Sequence, residues 1–207
     1  MEQRDSWIEL TNEKVVSIDI DDTICDSTPF WIEFVNDKLG TDFDNLGTLK
    51  ATLPYNEYKK IKKEFRTSGI KLDIPMIEGA SDLTRKLKEL GYKIIIITAR
   101  PANEYPELTK ITNQWLRDND IKYDGIIFDK HKSIKVLEQV PNLEFSVNDH
   151  YTEALLLAKW GYTTFLVDNK YNRRDHDNPY TGKIIRVKEL TEIIKYIEKD
   201  TNDRNNS

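Results

Sequence analysis

The chain has 207 residues, enough for one medium domain or one domain with a small insertion. Hydrophobic residues make up 38% and charged residues 32%, which with clear periodic segments excludes a disordered chain. A net charge of −5 argues against a protein that coats nucleic acid, and no apolar run reaches the roughly 18 residues of a membrane span. The polar start Met1-Glu2-Gln3-Arg4-Asp5 does not read as a signal peptide, so a cytoplasmic location is expected. The single cysteine, Cys25, rules out an intramolecular disulfide and a cysteine-based metal cluster, and reads as buried filler beside Ile24.

Residues before Glu13 read as a leader that packs onto the domain through Trp7 and Ile8. Val15, Val16, Ile18 and Ile20 then form a near-continuous apolar strand that runs into Asp19, Asp21, Asp22 and Thr23. Alternation is expected to point Asp19 and Asp21 to the same side. A calcium loop counted from Asp19 would need Gly and Glu where the chain has Ile24 and Phe30. Thr28-Pro29 predicts a helix start, with Phe30, Trp31, Phe34, Val35 and Leu39 at helical spacing and Gly40 as the stop. A second helix follows Pro54, with Tyr58, Ile61 and Phe65 on one face and Lys59, Lys60, Lys62, Lys63 and Arg66 on others. The aromatic stripe reads as core, and the basic face as a solvated surface.

From Ala80 the pattern becomes regular. Leu83, Leu87 and Leu90 line a helix that ends at Gly91, and Tyr92 to Thr98 is a buried strand. A helix carrying Leu108, Ile111, Thr112 and Trp115 precedes a strand over Gly125 to Phe128. A short helix with Ile134, Val136 and Leu137 leads into the strand Leu143 to Val147, followed by Asn148-Asp149. Ala154, Leu155 and Ala158 mark another helix, Thr163 to Val167 another strand, and Ile184 to Val187 an edge strand before a last helix with Leu190, Ile193, Ile194 and Ile197. This alternation predicts an α/β fold: a mostly parallel sheet with helices on both faces and right-handed crossovers. Neither a Gly-x-Gly-x-x-Gly nor a P-loop is present, which argues against dinucleotide and P-loop chemistry.

Three buried strands end in polar residues: Asp19-Ile20-Asp21, Thr98-Ala99-Arg100 and Asn148-Asp149. A parallel sheet brings these ends to one edge, within reach of Lys132. Phosphoryl transfer fits the set. Asp19 is the candidate nucleophile and Asp21 the candidate general acid and base, a role that calls for a pKa above the ordinary value of about 3.9. Thr98 and Lys132 are placed to hold the transferring group, and Asp149 to complete an oxygen-ligand set for Mg²⁺ with Asp19 and the backbone carbonyl of Asp21. Lys130 and Lys135 are rivals to Lys132. Arg100 either clamps a substrate phosphate or pairs with a carboxylate at the strand end. His131 and His150 read as exposed loop residues.

These residues resemble the four motifs of the haloacid dehalogenase superfamily, in superfamily order over residues ~15 to 170. The resemblance implies a modified Rossmann core with a small helical cap inserted after the first strand, and a Mg²⁺-dependent aspartyl-phosphate mechanism. An Asp two residues after the nucleophile points within the superfamily to phosphatases and phosphomutases. Ile97-Thr98-Ala99-Arg100-Pro101 and Val167-Asp168-Asn169-Lys170-Tyr171-Asn172-Arg173 further resemble the 5′(3′)-deoxyribonucleotidases and their bacterial and phage relatives. Those relatives usually carry paired aspartates in the fourth motif, where this chain has Asn148; by position Asp149 matches the metal ligand.

The expected organisation is a core over 1–25 and 78–200, a cap over 26–77 and a disordered tail over 201–207. Catalysis is assigned to Asp19, Asp21, Thr98 and Lys132, substrate binding to Thr98, Ala99, Arg100 and Lys132, and metal binding to Asp19, Asp21 and Asp149. The leading substrate is a nucleoside or deoxynucleoside monophosphate; the alternatives are another small phosphorylated metabolite, a 3′-phosphate end of nucleic acid, which the acidic charge disfavours, and a catalytically silent metal-binding module. No membrane partner is expected.

Overall fold

A computed structural model describes residues 13–170, 172, 173, 180 and 182–205. The expected contacts of Trp7 and Ile8, and Tyr171 of the late turn, lie outside these residues. Six strands form one parallel sheet in the order β3-β2-β1-β4-β5-β6: β1 Val15–Asp19, β2 Lys93–Thr98, β3 Gly125–Phe128, β4 Leu143–Asn148, β5 Thr163–Val167 and β6 Ile184–Val187. The last strand is the edge strand its sequence predicts. The chain reverses its direction of strand addition between β3 and β4, so β1 sits between β2 and β4 at the switch point, where such sheets open a crevice beyond their strand ends.

Alternation along these strands divides the core in two. Val16, Ile18, Ile94, Ile96, Phe145 and Val147 face one layer, packed with Leu83 and Leu87 of α4 (Ala80–Glu89), Trp115 of α5 (Glu107–Asp118) and Ile193 of α8 (Leu190–Asn205). Val15, Ile95 and Ile97 face the other, against Val136 of α6 (Lys132–Gln139) and Leu157 of α7 (Tyr151–Lys159). A run such as Ile94-Ile95-Ile96-Ile97 is apolar throughout because both faces of the sheet are covered. Burying each of these side chains stabilises the fold by about 2–3 kcal/mol before entropy is counted.

Between β1 and α4 lie α1 (Ser27–Leu39), α2 (Leu46–Thr52), α3 (Tyr55–Thr67) and a 3₁₀ turn over Ile70–Asp73. The segment contributes no strand, as its sequence predicts. Helix α2 and the 3₁₀ turn carry too little apolar periodicity to be read beforehand. Trp31 and Phe65 are buried with ring centroids 4.9 Å apart, and Phe34 and Tyr58 pack around them, so the aromatic stripe is core. The indole N–H of Trp115 donates to the Ile74 carbonyl at 2.8 Å and ties the segment to α5.

Helix α1 begins at Ser27, one residue before the predicted cap Thr28, and its capping group comes from outside: the Asp22 carboxylate accepts from the Thr28 amide at 2.7 Å and from the Thr28 hydroxyl. Gly40 closes α1 in the left-handed region, at φ 64°, where a side chain would be strained. At the other end of the chain α8 runs on to Asn205, so the expected disordered tail is helical over most of its length. Among the described residues no helix is long and apolar enough to cross a membrane.

Candidate active site

The register of the sheet sets the site. Ile18 lies opposite Val147 and Asp19 opposite Ile97, so the ends of β1, β2 and β4 come level and Asp19, Thr98 and Asn148 meet at one edge. Asp19 shares the parity of Val15 and Ser17, which turns its side chain toward the layer of α6 and α7. Lys132 opens α6 there, and its Nζ donates to Asp19 Oδ2 at 2.5 Å, both side chains being buried. Lys130 is exposed and Lys135 pairs with Glu138, so neither rival reaches the aspartate.

Burial pushes the Asp19 carboxyl above its ordinary value, against the pull of Lys132. Burial alone would depress Lys132, but Asp19, with Asp149 and Glu153 behind it, holds the ammonium above the usual lysine range. Asp149 is pushed up to about 8, first by burial and then by the negative charge of Asp19. The buried Asp19 and the half-buried Asp149 thus both feel one lysine, which is ion-paired with Asp19. That donor chemistry fits a hard divalent cation, because Asp19 and Asp149 both offer hard, negatively charged oxygens. Among the described residues no third His, Cys, Asp or Glu side chain joins them.

Asn148 is buried and its side chain is engaged within its own turn. Its Oδ1 accepts from the His150 amide at 2.9 Å and shapes the turn into α7. Asp149 is braced from the loop after β5. Asn169 Nδ2 donates to its Oδ2 at 3.4 Å, and the buried Asn172 donates to the Asp149 and Val167 carbonyls, both at 2.7 Å. The turn after β5 therefore supports the site from behind. Lys132 has a brace of its own: Glu153 of α7 accepts from the Ser133 amide at 2.8 Å and from the Ser133 hydroxyl at 2.5 Å, which fixes the start of α6. A Ser beside Lys132 at a predicted helix start was the signal available for this contact; its acidic partner, 20 residues away, had none.

Asp21 departs from expectation in both direction and charge. The strand ends at Asp19, and the amides of Ile24 and Cys25 turn back onto the Ile20 carbonyl, so strand alternation does not extend to Asp21. Its carboxylate instead meets Arg100, with Nε to Oδ2 at 3.0 Å and an η nitrogen to Oδ1 at 2.9 Å, and Lys71 Nζ lies 3.5 Å away. Burial alone would raise the Asp21 pKa, but Arg100 and then Lys71 hold it well below the usual carboxylate range, not above it. Of the two readings of Arg100, the structure has the carboxylate pair; the guanidinium is buried and also donates to the Thr112 hydroxyl at 3.1 Å. Thr98 is buried with its hydroxyl accepting from the Arg100 amide at 3.2 Å, and Ala99 is exposed at the strand end. His131 and His150 are exposed and Cys25 is buried, as expected.

The same architecture recurs in solved structures. A predicted phosphatase from Clostridium acetobutylicum superposes with a TM-score of 0.62 at 15% identity, over 90% of this chain and 99% of that one. A HAD-superfamily hydrolase from Ehrlichia chaffeensis superposes with a TM-score of 0.51 at 15% identity, over 89% and 96%. The fold is that of the haloacid dehalogenase superfamily. No family model matches the chain. By sequence it is 26% identical over 191 residues to a protein of Clostridium acetobutylicum named as a nucleotidase, which covers 89% of this chain and 93% of that protein.

Proposed function

We propose that the protein is a Mg²⁺-dependent phosphomonoesterase that works through an aspartyl phosphate on Asp19, with nucleoside or deoxynucleoside monophosphates as its substrates. The observation that carries the reading is the buried Asp19 at the end of the central strand, with Lys132 at 2.5 Å and Asp149 beside it. The fold and the nucleotidase-named relative support a phosphoric monoester hydrolase, and the same relative supports the choice of nucleotides. We place it in the cytoplasm, in keeping with its single, buried, free thiol.

In this mechanism an Asp19 carboxylate oxygen attacks phosphorus while the ester P–O bond breaks. Lys132 neutralises charge on the phosphoryl oxygens, and the exposed backbone at Ala99 offers a donor at the end of β2. Asp21 gives a proton to the leaving oxygen, then takes one from the water that cleaves the acyl phosphate and frees Asp19. The Arg100 and Lys71 pairs hold Asp21 in its base form, the form the hydrolytic half needs; the first half requires Asp21 to leave those partners and gain a proton. A Mg²⁺ ion held by Asp19, Asp149 and the Asp21 carbonyl would supply compensation for the negative charge brought by the phosphate. The helical segment over 26–77 acts as the cap that shapes the alcohol side.

The test is phosphate release from 5′- and 3′-nucleotides, sugar phosphates and a 3′-phosphorylated oligonucleotide, with and without Mg²⁺, beside Asp19→Asn. Metal-dependent release that is fastest on deoxynucleotides and lost in the variant is expected. Preference for another ester would overturn the substrate, and full activity of the variant would overturn the mechanism.

A further inference from the structure

Positive charge gathers on the alcohol side of Asp21 beyond what one carboxylate balances. Arg100 and Lys71 both face Asp21 and both are buried. Lys62, on the α3 face that reads as solvated surface, turns inward instead: its Nζ stands 3.9 Å from the centre of the Trp31 ring and 5.2 Å from that of Phe65. Lys71 approaches the Phe65 ring as well, at 4.9 Å. The aromatic faces attract both ammonium groups but carry no net charge to balance them.

No salt bridge joins Lys62 to a carboxylate among the described residues. The charged neighbours that act on it most are Lys71, Arg66 and Lys50, all positive, against Asp21 alone. Burial and these cations bring its ammonium down to about 7. Lys71 and Arg100 therefore share one carboxylate, and Lys62 stands beside the same Phe65 ring that Lys71 approaches. Solvent reaches the cluster through Asp21, whose side chain is 32% exposed, and through the half-buried Lys62. Such an arrangement lacks an anion, and it lacks it where the leaving half of a substrate would lie if Asp21 protonates the leaving oxygen.

We propose that Lys62, backed by Lys71 and Arg100, forms a second anion subsite that takes an oxyanion carried by the alcohol half of the substrate, a second phosphate or a carboxylate. The inference rests on the phosphomonoesterase reading and adds to it a preference for esters whose alcohol half carries a second anion. Lys62 makes the contact; Lys71 and Arg100 supply the field behind it.

Matched pairs of substrates separate the two sources of the oxyanion: a deoxynucleoside 5′-monophosphate against its 3′,5′-bisphosphate, and ethyl phosphate against 2-phosphoglycolate. The wild type is expected to favour the doubly anionic member of at least one pair by about tenfold in kcat/KM, and Lys62→Gln to lose that preference while Lys62→Arg keeps it. An equal loss on both members would overturn the subsite, because Lys62 would then serve the transferring phosphoryl group itself. An unchanged ratio would overturn it too. A second readout does not need turnover: inorganic sulfate should raise the melting temperature of the metal-free wild type more than that of Lys62→Gln. Equal melting shifts would overturn the subsite. A larger wild-type shift with no phosphate released from any ester would instead support the subsite and defeat the phosphatase reading.

Discussion

Replacing Asp149 by Asn in the metal-free protein should make the fold more stable, and increasingly so as pH rises. Asp149 is pushed up to about 8 by burial and by Asp19, whereas in the unfolded chain it titrates near its ordinary value. Between about pH 4 and 8 the folded chain therefore binds more protons at this site than the unfolded chain, and stability falls with rising pH. Below that window both states are protonated and the site has no effect; above it the full penalty stands. A carboxyl held at about 8 instead of 3.8 corresponds to at most about 6 kcal/mol. The carboxylate keeps some contact with solvent, so about 2–3 kcal/mol is the expected difference at pH ~9. Urea unfolding of the wild type and Asp149→Asn in EDTA, at pH values from about 4 to 9, measures it, as the difference between the two proteins removes the titration of groups that do not interact with Asp149. With saturating Mg²⁺ the wild type should recover the stability and the variant should not. A difference that stays flat across the range, or a Mg²⁺ effect that survives the substitution, would refute the reasoning.

Other perturbations probe the neighbouring parts. Lys132→Met should lower kcat/KM by about 10²- to 10³-fold, as steady-state kinetics would show, because the phosphoryl oxygens lose their buried cation. Arg100→Leu leaves Asp21 with Lys71 as its ion-pair partner and should destabilise the fold by about 2–3 kcal/mol in urea unfolding, with much of the loss recovered in Arg100→Leu/Asp21→Asn. Glu153→Gln weakens the brace on Ser133; kcat is expected to fall about tenfold while stability changes by about 1 kcal/mol, a split that separates positioning of Lys132 from general damage to the fold.

The strands were legible because a doubly covered parallel sheet demands runs such as Ile94 to Ile97, and helix ends because Gly40 and Gly91 take positive φ where side chains are strained. The strand-end positions of Asp19, Thr98 and Asp149 followed from the same logic. Pairings across long sequence distance did not. Nothing local marks Arg100 as the partner of Asp21, 79 residues earlier, and strand periodicity failed at Asp21 because the chain turns one residue after β1 ends. Lys62 and Lys71 were illegible for a related reason. Lysine in an exposed-looking helix pattern reads as surface, and only the fold of the inserted segment brings these two against Trp31, Phe65 and Asp21. Asn148 shows the opposite case: a residue whose type raised a doubt about the metal site turns out to hold the backbone of its own turn.

The measurement that tests the central claim most directly is acid quenching during turnover of a deoxynucleoside monophosphate with Mg²⁺, followed by peptide mapping. A phosphoryl group is expected on the peptide that carries Asp19, accumulating in the wild type and missing from Asp19→Asn. Steady turnover with no phosphorylated peptide, or with the label on another residue, would contradict it.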